Sequence, residues 1–239
     1  MDERMKILCT LLEKEGLSLP DDFSKKILAF EAHLLETNKV MNLTAITEPE
    51  EMMKKHYWDS IYPLSLGCFQ EGERVIDVGC GGGFPSMPLK LAYPSLEMTL
   101  MDSLQKRLHF LDGAIEELGL DRIKTLHLRA EDAGKSPAHR ERYDKAVSRA
   151  VAELSKLCEY CLPLVKVGGA LIAYKGASAE EELERARNAI GMLGGKVEKL
   201  HLYTLPNEED KRAIIVIRKV KSTPKQFPRG PKQIKDKPL

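Results

Sequence analysis

The chain has 239 residues and a formal net charge of +1 at pH 7, which is length enough for one large α/β domain or for a domain with an appendage. No apolar run approaches the roughly 18 residues of a membrane span. The charged opening Met1-Asp2-Glu3-Arg4-Met5-Lys6 leads into no signal-like apolar stretch, so a cytoplasmic, membrane-free protein is expected. Cysteines fall at 9, 68, 80, 158 and 161. Cys158 and Cys161 lie in a segment of helical pattern, with no second cysteine or histidine pair at zinc-like spacing. They read as two packed thiols, and no metal is expected.

Residues 1–66 read as a helical N-terminal extension. Met5, Leu8, Leu11 and Leu12 share one face, and Asp21-Asp22 open a second helix that presents Phe23, Ile27, Phe30, Leu34 and Leu35 as a stripe. A third helix begins near Glu48-Pro49-Glu50, where proline suits a first turn, and runs through His56-Tyr57-Trp58. From 67 to 219 strands alternate with helices. Strands are expected at 73–78, 96–101, 123–128, 143–148, 170–175, 196–203 and 213–217. Helices are expected at 86–92, 104–118, 154–162 and 179–193, with a polar connection around 131–142. This alternation predicts a doubly wound, mostly parallel sheet covered on both faces. Its last two strands, with no helix between them, put one antiparallel strand at the sheet's end. Residues 220–239 carry Pro224, Pro228, Pro231 and Pro238 among lysines, a composition that builds no core of its own. Such a tail orders only on a partner or across the body of the protein.

The near-zero net charge conceals an asymmetry. Residues 211–239 contain ten lysines and arginines and one acid, while the preceding part carries 27 basic and 35 acidic residues. A basic end on an acidic body points to a polyanionic partner.

The most informative stretch is Asp77-Val78-Gly79-Cys80-Gly81-Gly82-Gly83-Phe84-Pro85. It joins an apolar strand to a helix, the arrangement of a nucleotide-binding edge. Phe84 stands where a dinucleotide fingerprint would place its third glycine, which argues against a nicotinamide-dependent oxidoreductase. A second acid, Asp102, closes the next strand, where a carboxylate can accept bonds from both hydroxyls of a ribose. The D-x-G-x-G-x-G pattern resembles motif I of the class I S-adenosylmethionine-dependent methyltransferases, and the resemblance implies the seven-stranded sheet of that fold. A nucleotide-sensing module without catalysis shares these features.

The acceptor is addressed by the residues after the fourth strand, Ser148-Arg149-Ala150. They lack the Pro-Pro-aromatic signature of adenine amino-group enzymes, and no cysteine is placed as a pyrimidine C5 nucleophile. Lys175 alone does not make the base arrangement of a ribose methylase. What remains is a nucleophile with no proton to lose, such as guanine N7, approached by positioning alone.

Met41-Asn42-Leu43-Thr44, His56-Tyr57-Trp58-Asp59-Ser60, the glycine turn with Phe84-Pro85, Asp102-Ser103 with Lys106-Arg107, Arg129-Ala130-Glu131, Ser148-Arg149-Ala150, Lys175-Gly176 and Thr223-Pro224-Lys225-Gln226-Phe227-Pro228-Arg229 occur in one order. This ordered set resembles the glucose-inhibited division protein B family, the small-subunit (16S) ribosomal RNA guanine-N7 methyltransferases. The resemblance implies S-adenosylmethionine as cofactor, held by Asp77, Gly79, Gly81, Phe84, Asp102, Ala130, Glu131 and Arg149. Arg149 would also act between cofactor and incoming base. Asn42, His56, Lys106, Arg107, Lys175, Lys225 and Arg229 are the residues expected to meet small-subunit ribosomal RNA, free or in the 30S particle. Other readings stay open: Asn42 and Asp59 as helix caps, His56 as a half-buried core histidine, and Arg149 as a structural ion pair. No coiled coil or long apolar stripe asks for an oligomer, so a monomer is expected.

Overall fold

Seven strands form one sheet in the order β3-β2-β1-β4-β5-β7-β6 in the computed structural model, which describes residues 2–239. The strands are β1 (Arg74–Val78), β2 (Glu97–Asp102), β3 (Ile123–His127), β4 (Tyr143–Arg149), β5 (Val165–Lys175), β6 (Gly195–Thr204) and β7 (Lys211–Lys219). The first five run parallel, and β7 is antiparallel to both β5 and β6. The antiparallel strand therefore lies inside the sheet rather than at its end. β7 is five apolar residues long in its centre, Ala213 to Ile217, all buried. β6 alternates exposed and half-buried residues, so the more apolar strand takes the inner position.

The helices are α1 (Glu3–Lys14), α2 (Phe23–Met41), α3 (Pro49–Glu51), α4 (Asp59–Ile61), α5 (Ser86–Ala92), α6 (Gln105–Glu117), α7 (Ala130–Ala133), α8 (Leu154–Cys161), α9 (Ala179–Met192) and α10 (Pro231–Asp236). Local chemistry sets several ends. Asp2 accepts from the Arg4 amide to cap α1. Asn42 ends α2 in the left-handed region at φ 50°, a conformation that asparagine tolerates better than most residues. Glu48 accepts from the Glu51 amide, with Pro49 in the first turn of α3. Proline at a first turn predicted an ordinary third helix running through His56-Tyr57-Trp58; the segment Met52–Trp58 between α3 and α4 is instead a π-helix. The connection expected to be irregular after 131 begins with the short α7.

Side chains alternate along the strands between two cores. Val75, Met98, Leu100, Val147, Ile172 and Ile214 face one side and pack with Phe23, Phe30, Leu34, Met52 and Tyr57 of the N-terminal helices. Ile76, Val78, Met101, Leu171, Ala173 and Ile215 face the other, against α8, α9 and Phe227. The N-terminal helices thus share a core with the sheet. Tyr57 donates to Glu31, whose other oxygen receives Arg4, so α1, α2 and the π-helix are tied at one buried carboxylate.

The C-terminal segment is ordered across the body, the second of the two outcomes the sequence allowed. Phe227 and Ile234 are buried. Lys219 is wholly buried, and its ammonium donates to the carbonyls of Leu162 and Val165 and to the Thr223 hydroxyl beside Glu141. Cys158 and Cys161 are buried free thiols on α8. Burial raises both thiols above their ordinary range, which leaves them unreactive.

Candidate active site

The carboxyl ends of β1, β2 and β4 meet beneath the glycine turn. The Gly79 and Cys80 amides both donate to the Met101 carbonyl, which ties the turn to β2. Gly79 has φ 78°, and a Cβ there would lie 2.6 Å from Val151 Cγ2. Glycine is thus required by both backbone and space. The result is a cavity of 530 Å3 lined by Gly79, Gly81, Phe84, Asp102, Ala130, Glu131, Arg149 and Tyr160, among others.

Asp102 lines this cavity at the tip of β2. Its Oδ1 accepts from the Leu104 amide at 2.9 Å, and its Oδ2 accepts from the Gly81 amide at 3.0 Å and Arg107 Nη1 at 3.3 Å. A carboxylate offers about four acceptor sites, so one remains toward the cavity. Glu131 also lines the cavity, and no hydrogen bond engages its carboxylate among the described residues. Ala130, its neighbour, opens α7, where first-turn amides have no intrahelical partner.

Asp77 differs from its expected place. It is fully buried beneath the turn and does not line the cavity. Ser86 Oγ donates to its Oδ2 at 2.6 Å, joining β1 to the start of α5 across the turn, while Oδ1 has no partner among the described residues. Burial pushes this carboxyl up to about 7, against the opposing pull of Ser86 and Arg149. An orphaned buried carboxylate oxygen under an open glycine cradle suits a cationic ligand above it.

Arg149, His56 and Phe84 form the wall at the far side. The His56 ring lies on the Phe84 ring with centroids 4.2 Å apart and 16° between planes. The Arg149 guanidinium stands 5.2 Å from the same ring's centroid, a cation–π distance. Arg149 Nη1 donates to Asp59 Oδ2 and to the Lys55 carbonyl, each at 2.9 Å. Its Nη2 lies 3.2 Å from His56 Nδ1. A guanidinium only donates, so Nδ1 accepts and the imidazole proton sits on Nε2, which donates to Thr44 Oγ1 at 2.8 Å. Burial and Arg149 hold His56 down at about 3, so the ring is neutral. Tyr203 donates to Asp59 Oδ1 at 2.7 Å. Three of the five guanidinium protons are used, which leaves two.

Ala150, next along, has φ 58°, a strained conformation for a residue with a side chain. That reversal sends Arg149 toward Asp59 and brings Val151 against Gly79. Beyond this wall lies a second cavity of 640 Å3, between the π-helix and the ends of β4 and β5. His56, Arg149, Ala150 and Val151 line both cavities.

Several expected RNA contacts are engaged elsewhere. Lys175 donates to Glu182 and to the Ala152 carbonyl, each at 2.7 Å, and is nearly buried. Its place is a wall of the second cavity rather than a free cation. Arg229 is locked on buried Glu159. His56 is buried inside the wall. Arg107 leans on Asp102 with its side chain 37 % exposed. Asn42 is exposed at the end of α2, and its backbone is a helix cap. Lys106 and Lys225 are exposed and make no ion pair among the described residues. No group of three or more metal-ligating side chains converges among the described residues, and no helix there is long and apolar enough to cross a membrane.

Sequence reasoning missed Ser86, Val151, Tyr160 and Tyr203. Ser86 stands at the first position of the helix after the turn, which is a readable signal. Tyr160 and Tyr203 reach the site only through the packing of α8 and β6, which no local pattern encodes.

The family profile described as rRNA small subunit methyltransferase G matches residues 24–214. The ribosomal RNA small subunit methyltransferase G of Lactobacillus johnsonii is 47 % identical over 98 % of this chain and 99 % of that protein. That of Bacillus licheniformis is 48 % identical over 92 % of each. Among solved structures, M. jannaschii TYW2 in complex with AdoMet superposes with a TM-score of 0.53 at 14 % identity, covering 68 % of this chain and 77 % of that one. A SAM-dependent methyltransferase structure from Methanosarcina mazei has a TM-score of 0.51 at 16 % identity, covering 66 % and 98 %. At such identities the likeness concerns the fold, which is that of the class I methyltransferases. The sequence relationship spans nearly the whole chain, and the chain belongs to the family of the ribosomal RNA small subunit methyltransferases G.

Proposed function

We propose that this protein methylates N7 of a guanine in small-subunit (16S) ribosomal RNA, with S-adenosylmethionine as donor. The observation that carries the reading is the shared wall of the two cavities. The 530 Å3 cavity suits the donor, the 640 Å3 cavity suits the acceptor base, and they meet at His56, Arg149, Ala150 and Val151. When bound, the donor supplies an electrophilic methyl group on a sulfonium.

The residues that would hold the donor are the Gly79–Gly81 backbone, Asp102 toward the ribose hydroxyls, Ala130 and Glu131 toward the adenine edge, and Phe84 by apolar contact. Asp77 supports the turn from beneath and contributes negative charge under a cationic ligand. The wall itself offers no free base. Both His56 nitrogens are occupied and the ring stays neutral. Both Asp59 oxygens are bonded, and Lys175 is held by Glu182. Among the groups of the shared wall, an acceptor that must lose a proton would find no free base. A ring nitrogen with an available lone pair needs none, so guanine N7 fits and catalysis rests on alignment. The two uncommitted Arg149 protons are the donors nearest such a base, suited to its O6 or to a phosphate.

The test is chemical cleavage at 7-methylguanosine in ribosomal RNA from cells with and without the gene. Loss of one cleavage site in 16S RNA is expected, and an identical pattern would overturn the reading.

A further inference from the structure

The C-terminal segment does more than carry charge. Residues 223–229 run along the outside of the wall that bears Ala130, Glu131 and Tyr160. Two links fix them there. Arg140 Nη1 donates to the carbonyls of Gly134 and Phe227, each at 2.7 Å, and Nη2 donates to those of Thr223 and Pro224 at 2.6 and 3.2 Å. One guanidinium thus ties the end of the α7 turn to three residues of the strap. Pro228 packs so closely on Gly134 that a Cβ there would meet its Cγ at 2.8 Å. Second, Arg229 grips Glu159 with its backbone amide at 2.8 Å, Nε at 2.9 Å and Nη2 at 2.7 Å. Glu159 is fully buried on α8, and the next residue is Tyr160, which lines the nucleotide cavity. α7 and α8 are therefore both held from behind by one short segment.

The geometry points to residues 223–229 as a positioning strap for this wall, so that affinity for the donor depends on a segment that never touches it. The inference rests on the reading of the 530 Å3 cavity as the donor site. Arg229 is the positioning residue. Without its cation, Glu159 keeps a buried charge with only the backbone amide of residue 229 as partner and must move or take up a proton. Either response shifts α8 and, with it, Tyr160. Loosening of the α7 turn follows through Phe227, Arg140 and Gly134. A tail serving only as a basic RNA-binding arm would leave donor affinity alone.

The experiment uses the full chain with Arg229→Gln, Arg229→Lys and Lys232→Gln. Lys232 is exposed and makes no ion pair among the described residues, so its substitution removes the same charge without touching the strap. S-adenosylhomocysteine binding is measured by titration calorimetry well below each variant's thermal midpoint, and kcat and both KM values are measured with 30S particles. R229Q should weaken S-adenosylhomocysteine about tenfold and raise the KM for the donor in step, with the KM for 30S particles unchanged. R229K should recover part of the loss, and K232Q should bind the ligand as wild type does. Wild-type affinity in R229Q, or an equal loss in K232Q, would overturn the strap while leaving the donor site intact. Failure of the wild-type protein to bind S-adenosylhomocysteine would remove the donor reading and this inference together.

Discussion

Arg149 and Asp59 form a 2.9 Å ion pair with both side chains nearly removed from solvent, at 15 % and 6 % exposure. Replacing Arg149 by alanine therefore costs stability as well as activity. Truncation leaves a buried carboxylate with Tyr203 as its remaining partner, a defect worth about 3 kcal/mol or more. Arg149→Ala should therefore lower the urea midpoint by a matching amount and abolish methylation. Arg149→Lys should keep much of the stability, because a cation remains. It should lose activity by about a hundredfold, because an ammonium cannot bond Asp59, His56 and a substrate from one plane. Chemical denaturation read beside single-turnover methylation separates the two effects. Full activity in R149K would show that the planar fork is not used.

Asp77 gives the site a pH dependence of definite sign. Its carboxyl is pushed up to about 7 by burial, above its unfolded value near 3.8. Between those values the unfolded chain releases the proton and the folded one keeps it. Stability in the ligand-free protein should thus fall as pH rises from about 4 to 7, with a contribution approaching 1.4 kcal/mol per unit. It should level off above 7. A cationic ligand in the cavity favours the ionised form, so donor affinity should rise with pH through the same window. Asp77→Asn keeps an acceptor for Ser86 and removes the charge. It should flatten both profiles, as followed by thermal unfolding and by S-adenosylmethionine titration from pH 5 to 8. Profiles parallel to those of wild type would assign the dependence to another group.

The strand pattern and the glycine turn were legible because each rests on local chemistry. A run such as Ala213 to Ile217 is buried wherever the fold puts it, and φ 78° at Gly79 asks for glycine in any context. The tail was harder to read for a physical reason. Its anchors are few, Phe227 and Ile234, and its strongest bond joins Arg229 to Glu159, 70 residues earlier. Composition reads such a segment as solvated because the compensating acid lies elsewhere in the chain. The π-helix that delivers His56 was equally hidden, since apolar spacing does not register one extra residue per turn. The ordered motifs singled out Arg149, and packing supplied its partners Asp59, His56 and the Lys55 carbonyl.

Gly79 tests the turn itself. A methyl group at this position meets Val151 Cγ2 at 2.6 Å and also has to hold φ 78°. Gly79→Ala should destabilise by about 1–2 kcal/mol through the backbone alone and weaken donor binding severely, because the turn must shift. Adding Val151→Ala removes the collision and leaves the backbone cost. The double variant should regain part of the affinity and little of the stability. Equal recovery of both would mean that the clash, and not the conformation, dominates. Calorimetric binding together with urea denaturation reads the two quantities separately.

Salt dependence should identify which cations serve RNA. Arg212, Arg218, Lys219 and Arg229 all pair with carboxylates of the body, so much of the basic end is already spoken for. Lys225, Lys232 and Lys235 are exposed and carry no ion pair among the described residues. Each phosphate neutralised by such a side chain releases condensed counterions and steepens the plot of log affinity against log salt by about 0.7–0.9. Neutralising these three together should flatten the slope for 30S particles or 16S RNA by up to about 2–3, with S-adenosylhomocysteine affinity unchanged because residues 223–229 keep their anchors. Deleting everything from residue 221 would remove charge and strap at once, so it should flatten the slope and weaken the donor together. A triple variant whose salt slope matches wild type would place the RNA-binding charge elsewhere, with Arg107 of the cavity lining and its exposed neighbour Lys106 as the next residues to neutralise.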